Sequence, residues 1–158
     1  MDRSVQESFG NQLRVRVCGL CWQGDRLLLV NHSGLRTGPF WAPPGGGMEF
    51  GLSAGENLVR EFREETGLII SVGRLAFVTE YLETPLHAME LFYEVDVVDG
   101  SLAAGSDPEL TGSKQIIQGV RYMTMDEIDS MAPESKHGVF GMVPTSRQIR
   151  ELAGYFRI

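Results

Sequence analysis

The chain of 158 residues is poor in cysteine, with two, and carries no long apolar run and no cluster of basic residues. A membrane-crossing helix needs a run of about 18 apolar residues or more, and nothing here approaches that. The opening stretch, MDRSVQESFGNQ, lacks the apolar core of a secretory leader, so a soluble, cytoplasmic protein is expected. Lys and Arg number 14 against 21 Asp and Glu, a net charge of −7. That balance, without a basic tract, argues against a nucleic-acid duplex as partner. It would also repel a phosphate ligand unless a divalent metal mediated the contact.

The two cysteines stand as Cys18-Gly19-Leu20-Cys21, a spacing that resembles a redox or zinc pair. They lie inside LRVRVCGLCW, which reads as a strand. Side chains three apart on a strand point to opposite faces. A disulfide or a metal site needs neighbouring sulfurs, and there is no second Cys/His pair. Two unpaired core thiols are the expectation. Repeats, linkers and low-complexity segments are also missing. With 42% apolar and 22% charged residues, the composition is that of a globular chain. One domain over 1–158 is expected, residues 1–11 being a flexible lead.

What is present is well punctuated. Leu13 to Trp22 and Arg26 to Asn31 form a hairpin about Gln23-Gly24-Asp25. His32 to Phe40 is loop. Ser53 and Glu56 have capping-box spacing at the start of a helix, and Gly67 stops it. Strands follow over Ile69 to Val72 and on toward Tyr81, over His87 to Val98, and over Gln115 to Met123. Ser101 to Ser113 is a polar loop containing Asp107-Pro108-Glu109. Thr124 and Glu127 form a second capping box, opening a short helix to about Met131. Thr145 and Gln148 after Pro144 mark a third start, with SRQIRELAGYF as a C-terminal amphipathic helix. The order is an α/β pattern of a mixed sheet with helices on both faces.

The first of these helices is the unusual one. Glu61, Glu64 and Glu65 fall in one sector, being i, i+3 and i+4. Leu58, Val59 and Phe62 fall on the adjoining side and face the core. The acids occupy the second half of the helix, where its dipole disfavours negative charge. A solvated, salt-bridged face is one reading, with Glu56–Arg60 and Arg60–Glu64 at i,i+4. The sharper reading takes in the preceding turn, Pro43-Pro44-Gly45-Gly46-Gly47. A glycine-rich loop lets backbone approach a ligand closely, which makes Gly46 and Gly47 candidate substrate contacts. Hard oxygen donors in this number suit Mg²⁺ or Mn²⁺. The loop lacks GK[ST] and is no Walker A motif.

The stretch resembles the Nudix box, G-x5-E-x7-R-E-U-x-E-E-x-G-U with U bulky and apolar, at Gly46, Arg60, Glu61, Glu64, Glu65, Gly67 and Leu68, with Phe62 as a loose U. The run FWAPPGG resembles the segment that leads into the box in that family. The resemblance covers nearly the whole chain and implies an α/β/α sandwich around a mixed sheet. It implies a Mg²⁺-dependent hydrolase of a nucleoside diphosphate linked to another moiety, NDP-X + H₂O → NMP + P-X. By position, Glu61, Glu64, Glu65 and the Gly45 carbonyl would hold metal, and Arg60 would orient a catalytic glutamate. Glu61 or Glu64 would hold or deprotonate the attacking water. A homodimer is compatible with the resemblance.

Two positions depart from the pattern. Where the box has its first glutamate stands Leu52, so Arg60 lacks a partner that Glu49 or Glu56 could replace; spacing does not choose between them. A further carboxylate after the central strands is missing from Gly119-Val120-Arg121-Tyr122, leaving Glu109 as the candidate substrate-side acid, or else a solvated turn. Leu52 also motivates a second function, a degenerate Nudix domain that binds a nucleotide as sensor or regulator without cleaving it. Arg14 and Arg16 share a strand face and could meet phosphate oxygens, or simply be solvated. His87 could contact phosphate or sit at a strand edge. Phe40 and Trp41 could stack a base or pack into the core.

Overall fold

A computed structural model of the protein describes residues 3–32, 38–103 and 117–158. A short helix, α1 (Arg3–Phe9), precedes the hairpin of β1 (Gln12–Gln23) and β2 (Arg26–His32). The glycine-proline turn adds two small strands that local sequence signals did not mark, β3 (Trp41–Ala42) and β4 (Gly45–Gly47). Helix α2 (Ala54–Thr66) follows, then β5 (Leu68–Glu83), β6 (Leu86–Gly100), β7 (Ile117–Thr124), α3 (Met125–Ser130) and β8 (Gly154–Arg157).

The strands form a mixed sheet in the order β3-β2-β1-β6-β5-β8, with β4 on β1 and β7 on β2. β1 runs parallel to β6 from Gln12 to Cys21, and β8 runs parallel to β5; the other pairs are antiparallel. Helical segments cover both faces, as the sequence pattern predicts.

The alternation of β1 divides the core in two. Val17 and Cys21 pack with Leu28, Leu58, Phe62 and Val95 beneath α2. Cys18 and Leu20 pack on the other face with Phe77, Phe92, Ile128 and Phe140, beneath α3 and the segments after it. The thiols are therefore buried, free and on opposite sides of the sheet. The period of a strand dictates that outcome.

Helix α2 begins and ends on local chemistry. Ser53 accepts from the Glu56 N–H while the Glu56 carboxylate accepts from the Ser53 N–H at 2.8 Å. Gly67 closes the helix at φ 73°, a left-handed conformation that costs other residues more. Thr124 and Glu127 cap α3 in the same reciprocal way.

The expected C-terminal helix does not form. Ser146–Glu151 makes only 3-10 turns, and the chain then extends as β8 along Phe77 to Glu80 of β5. Thr145 makes no side-chain cap bond. Asp129 takes the N–H and hydroxyl of Ser146 instead, at 3.0 and 2.6 Å. An uncapped start and a free sheet edge favour the strand.

Candidate functional site

The three box acids share a sector of α2 but lie at different depths. Glu61 and Glu65 are 2% and 1% exposed, whereas the Glu64 side chain is 30% exposed. What buries the first two is β4, held against β1 by the pairs Gly45↔Cys18, Gly46↔Val17 and Gly47↔Arg16. The Gly45 N–H donates to Glu65 Oε2 at 2.9 Å. A side chain at Gly46 would place its Cβ 2.4 to 2.6 Å from the Glu61 carboxyl atoms. Only glycine lets the strand lie this close to the acid.

Arg60 gathers the remaining charges. Its Nη2 lies 2.8 Å from Glu61 Oε1, and its Nη1 lies 3.1 Å from Glu64 Oε2 and 3.5 Å from Glu49 Oε1. It also donates to the Gly47 carbonyl at 3.3 Å. Partial burial works against its charge, but Glu61, Glu64 and Glu49 outweigh this and raise its pKa further.

The geometry also decides what spacing left open. Glu49 reaches Arg60, Glu56 is committed to the Ser53 cap, and Leu52 is 37% exposed. The expected Glu56–Arg60 pair thus yields to the capping box, because a carboxylate bonding backbone and hydroxyl at the helix start is better held than an exposed i,i+4 pair.

Sequence reading missed Asn57, which is fully buried. Its amide donates to the carbonyls of Leu52 and Ser53, and its oxygen accepts from the Glu49 N–H at 2.8 Å and Arg60 at 3.2 Å. It fastens the loop that carries Glu49 to the helix that carries Arg60.

A second polar group, equally unforeseen, abuts the first. His32 is 7% exposed, with Nε2 3.9 Å from Glu65 Oε1 and Nδ1 without a hydrogen-bond partner. Burial, then the charges of Arg16 and His137, lower its pKa to about 4. Near neutral pH it is uncharged, so the approach to Glu65 is proximity rather than an ion pair. Across the sheet Glu90, 6% exposed, meets Arg16, Thr79 and His137. Burial alone would raise its pKa; His137, Arg16 and Thr79 together bring it to about 2. The signal was available, because Glu90 stands two before Phe92 on an alternating strand and so faces inward.

Other candidates fall outside this group. His87 lies 2.7 Å from Glu80, one residue out of phase with Glu90 and on the opposite face. Trp41 packs against the core, its carbonyl accepting from the His137 N–H at 2.9 Å. Glu109 and its loop lie outside the described residues.

The profile described as NUDIX domain matches residues 11–142 of the chain. The chain belongs to the Nudix family. It is 34% identical over 98 residues to the ADP-ribose pyrophosphatase of Methanocaldococcus jannaschii, 59% of this chain and 56% of that protein. It is 31% identical over 94 residues to YjhB of Bacillus subtilis, 56% of this chain and 44% of that one. The matches thus span about half the length of these curated relatives. A Nudix hydrolase structure from Nitrosomonas europaea superposes with a TM-score of 0.65 at 22% identity, covering 75% of this chain and 77% of that one. At that identity the likeness is one of fold.

Nudix hydrolases use divalent cations. Among the described residues, no three His, Cys, Asp or Glu side chains are drawn together closely enough to enclose an ion alone. Arg60 bonds Glu61 and Glu64, and the Gly45 N–H bonds Glu65. The donor set nonetheless suits Mg²⁺, which keeps waters and takes one or two carboxylates plus substrate phosphates rather than a protein cage. Two deeply buried carboxylates beside a backbone strand are what such an ion compensates.

Proposed function

We propose that this Nudix domain, a single unit over the chain, hydrolyses a nucleoside diphosphate linked to another moiety, NDP-X + H₂O → NMP + P-X, with Mg²⁺ or Mn²⁺. The observation that supports it best is the burial of Glu61 and Glu65 against β4, at a Gly46 that no larger residue could replace without displacing the Glu61 carboxylate. In this reading Glu61, Glu64, Glu65 and the Gly45 carbonyl would hold the metal, and Gly46 and Gly47 would lie along the substrate. A metal held by these groups would offset the charge of the diphosphate and make the attacking water more acidic.

The protein groups do the rest. Glu61 or Glu64 accepts a proton as the water oxygen bonds to one phosphorus. The bond from that phosphorus to the bridging oxygen breaks, and the oxygen departs with the other phosphate. Arg60 orients the two glutamates, and Glu49 supplies the carboxylate that Leu52 does not. The Methanocaldococcus relative bears the name ADP-ribose pyrophosphatase, so ADP-ribose is the first substrate to assay.

The test is a panel of NDP-X compounds with Mg²⁺ and with Mn²⁺, reading phosphate released after a coupled phosphatase. Turnover that chelation abolishes, and that Glu64→Gln and Glu65→Gln lose, is the expected result. Unchanged rates in both variants would sink the proposal. Tight nucleotide binding with no product over hours would favour the sensor reading that Leu52 motivates.

A further inference from the structure

Three hydrogen bonds of the buried Asn57 fix the turn that leads into α2. Its oxygen accepts the Glu49 N–H at 2.8 Å, and its amide donates to the carbonyls of Leu52 and Ser53 at 3.2 and 2.9 Å. Between these anchors the Leu52 N–H closes back on the Glu49 carbonyl at 3.3 Å. Gly51 stands at φ 92°, a left-handed conformation that favours glycine at the third place of such a turn. Phe50 holds the second place. Its ring is wholly exposed, more so than any other large apolar side chain among the described residues.

A single apolar side chain in water is ordinary on a protein surface; the placement of this one is not. Glu49, the first residue of the turn, lies 3.5 Å from Arg60, and its side chain is 61% exposed. From there exposure falls across the acids that share Arg60, to 30% at Glu64 and 3% at Glu61. Solvent therefore meets the site at its Glu49 end, and a ligand bound for the buried carboxylates comes first to the turn that carries Phe50. The charged groups at this end are carboxylates and the arginine they engage. An uncharged aromatic ring offers what they do not, a face on which a nucleobase stacks.

We propose that Phe50 is a specificity-determining residue that stacks on the nucleobase of the substrate, with Asn57 as the residue that positions its turn. The inference rests on the hydrolase reading for its substrate class. A ring presented on a turn already fixed by hydrogen bonds loses little freedom when a ligand covers it, so more of the stacking energy appears as affinity.

The test compares calorimetric binding of ADP and of inorganic pyrophosphate, both in Mg²⁺, alongside steady-state hydrolysis of ADP-ribose. Phe50→Ala weakens ADP binding about tenfold and leaves pyrophosphate binding within about twofold, because only ADP carries a base. It raises the ADP-ribose KM by a similar factor and changes kcat less. Phe50→Trp keeps the ADP affinity, and its fluorescence changes with ADP beyond any change in the wild type. The ring is wholly exposed, so both variants keep the wild-type melting temperature. ADP affinity within about twofold of wild type in Phe50→Ala, equal losses for ADP and pyrophosphate, or no ADP binding by the wild type overturns the proposal. If Glu64→Gln and Glu65→Gln keep their turnover while Phe50→Ala still loses ADP and not pyrophosphate, the hydrolase reading fails and this one stands. If those two lose turnover while Phe50→Ala binds ADP as the wild type does, this one fails alone.

Discussion

β1 separates two acidic groups, each with a buried carboxylate at its heart, that the protein treats differently. On one side Glu90 is met by an arginine, a histidine and a threonine, and its pKa falls to about 2. On the other, Glu49, Glu61 and Glu64 converge on one guanidinium, Glu65 takes a backbone N–H, and the neighbouring His32 is uncharged near neutral pH. Glu90, Glu61 and Glu65 are buried carboxylates, whereas Glu49 and Glu64 reach solvent. The first is a closed electrostatic unit within the protein; the second crowds three carboxylates onto one guanidinium, with Glu65 beside them. A closed unit holds geometry, whereas a crowded one invites a further positive charge.

The widest separation between the two comes from neutralising one acid on each side. Glu65→Gln should lower metal-dependent kcat by about a thousandfold, since metal-type stabilisation supplies several kcal/mol. Its melting temperature should hold or rise, because a crowded charge is removed. Mg²⁺ should raise the melting temperature of the wild type and not of this variant. Glu90→Gln should do the reverse, keeping its melting response to Mg²⁺ while losing stability. A Glu65→Gln protein that still turns over and still responds to Mg²⁺ would erase the distinction.

Acid should act on the closed unit next most strongly. The Glu90 carboxyl is drawn from an ordinary 4.5 to about 2. Linkage then gives it up to about 3 kcal/mol of stabilisation near neutral pH. As pH falls below about 4.5 the unfolded chain takes up the proton first, so that stabilisation drains away and is gone once pH passes about 2. Denaturant midpoints followed across this window should therefore drop more steeply for wild type than for Glu90→Gln. Parallel acid limbs would mean that Glu90 is no more stabilised in the fold than in the open chain.

Gly46→Ala should have a smaller effect, of about 2 kcal/mol on the barrier, or some thirtyfold in kcat. Its Cβ would stand 2.4 Å from Glu61 Oε1, and the side chain can swing aside more cheaply than the strand can move. Circular dichroism would show an intact fold. Equal loss from Gly55→Ala, where an added Cβ meets nothing within 4 Å, would show that the close approach is not the cause.

These contrasts also mark how far the sequence reached. Both capping boxes, the hairpin, the Gly67 stop and the opposed cysteines follow from rules that act within a few residues, and the structure has them all. The common sector of Glu61, Glu64 and Glu65 follows equally from helical period. Their unequal burial does not, because it depends on β4 folding back on β1 from outside the helix. Glu90 was legible as an inward-facing acid on its strand, but its partners come from β1, β5 and the segment after α3. The C-terminal residues had an amphipathic helical pattern, yet a sheet edge far away in the chain claimed them as β8. Local chemistry was readable; long-range pairing was not.

Leu52→Glu should have the smallest effect. By motif alone, restoring the missing acid ought to rescue a crippled site. In the fold, Leu52 is 37% exposed and Arg60 already has Glu49 at 3.5 Å, fixed by Asn57 through the Glu49 N–H. A second carboxylate there would compete for one guanidinium, and a pair at this exposure is worth at most about 1 kcal/mol. The expected change in kcat/KM is therefore under about threefold in the wild-type background. Removing Glu49 sharpens the comparison: Glu49→Gln should lose several-fold, and Leu52→Glu placed on top of it should restore most of the loss. A large gain from Leu52→Glu with Glu49 present would show that the loop acid does not do the work of the missing one.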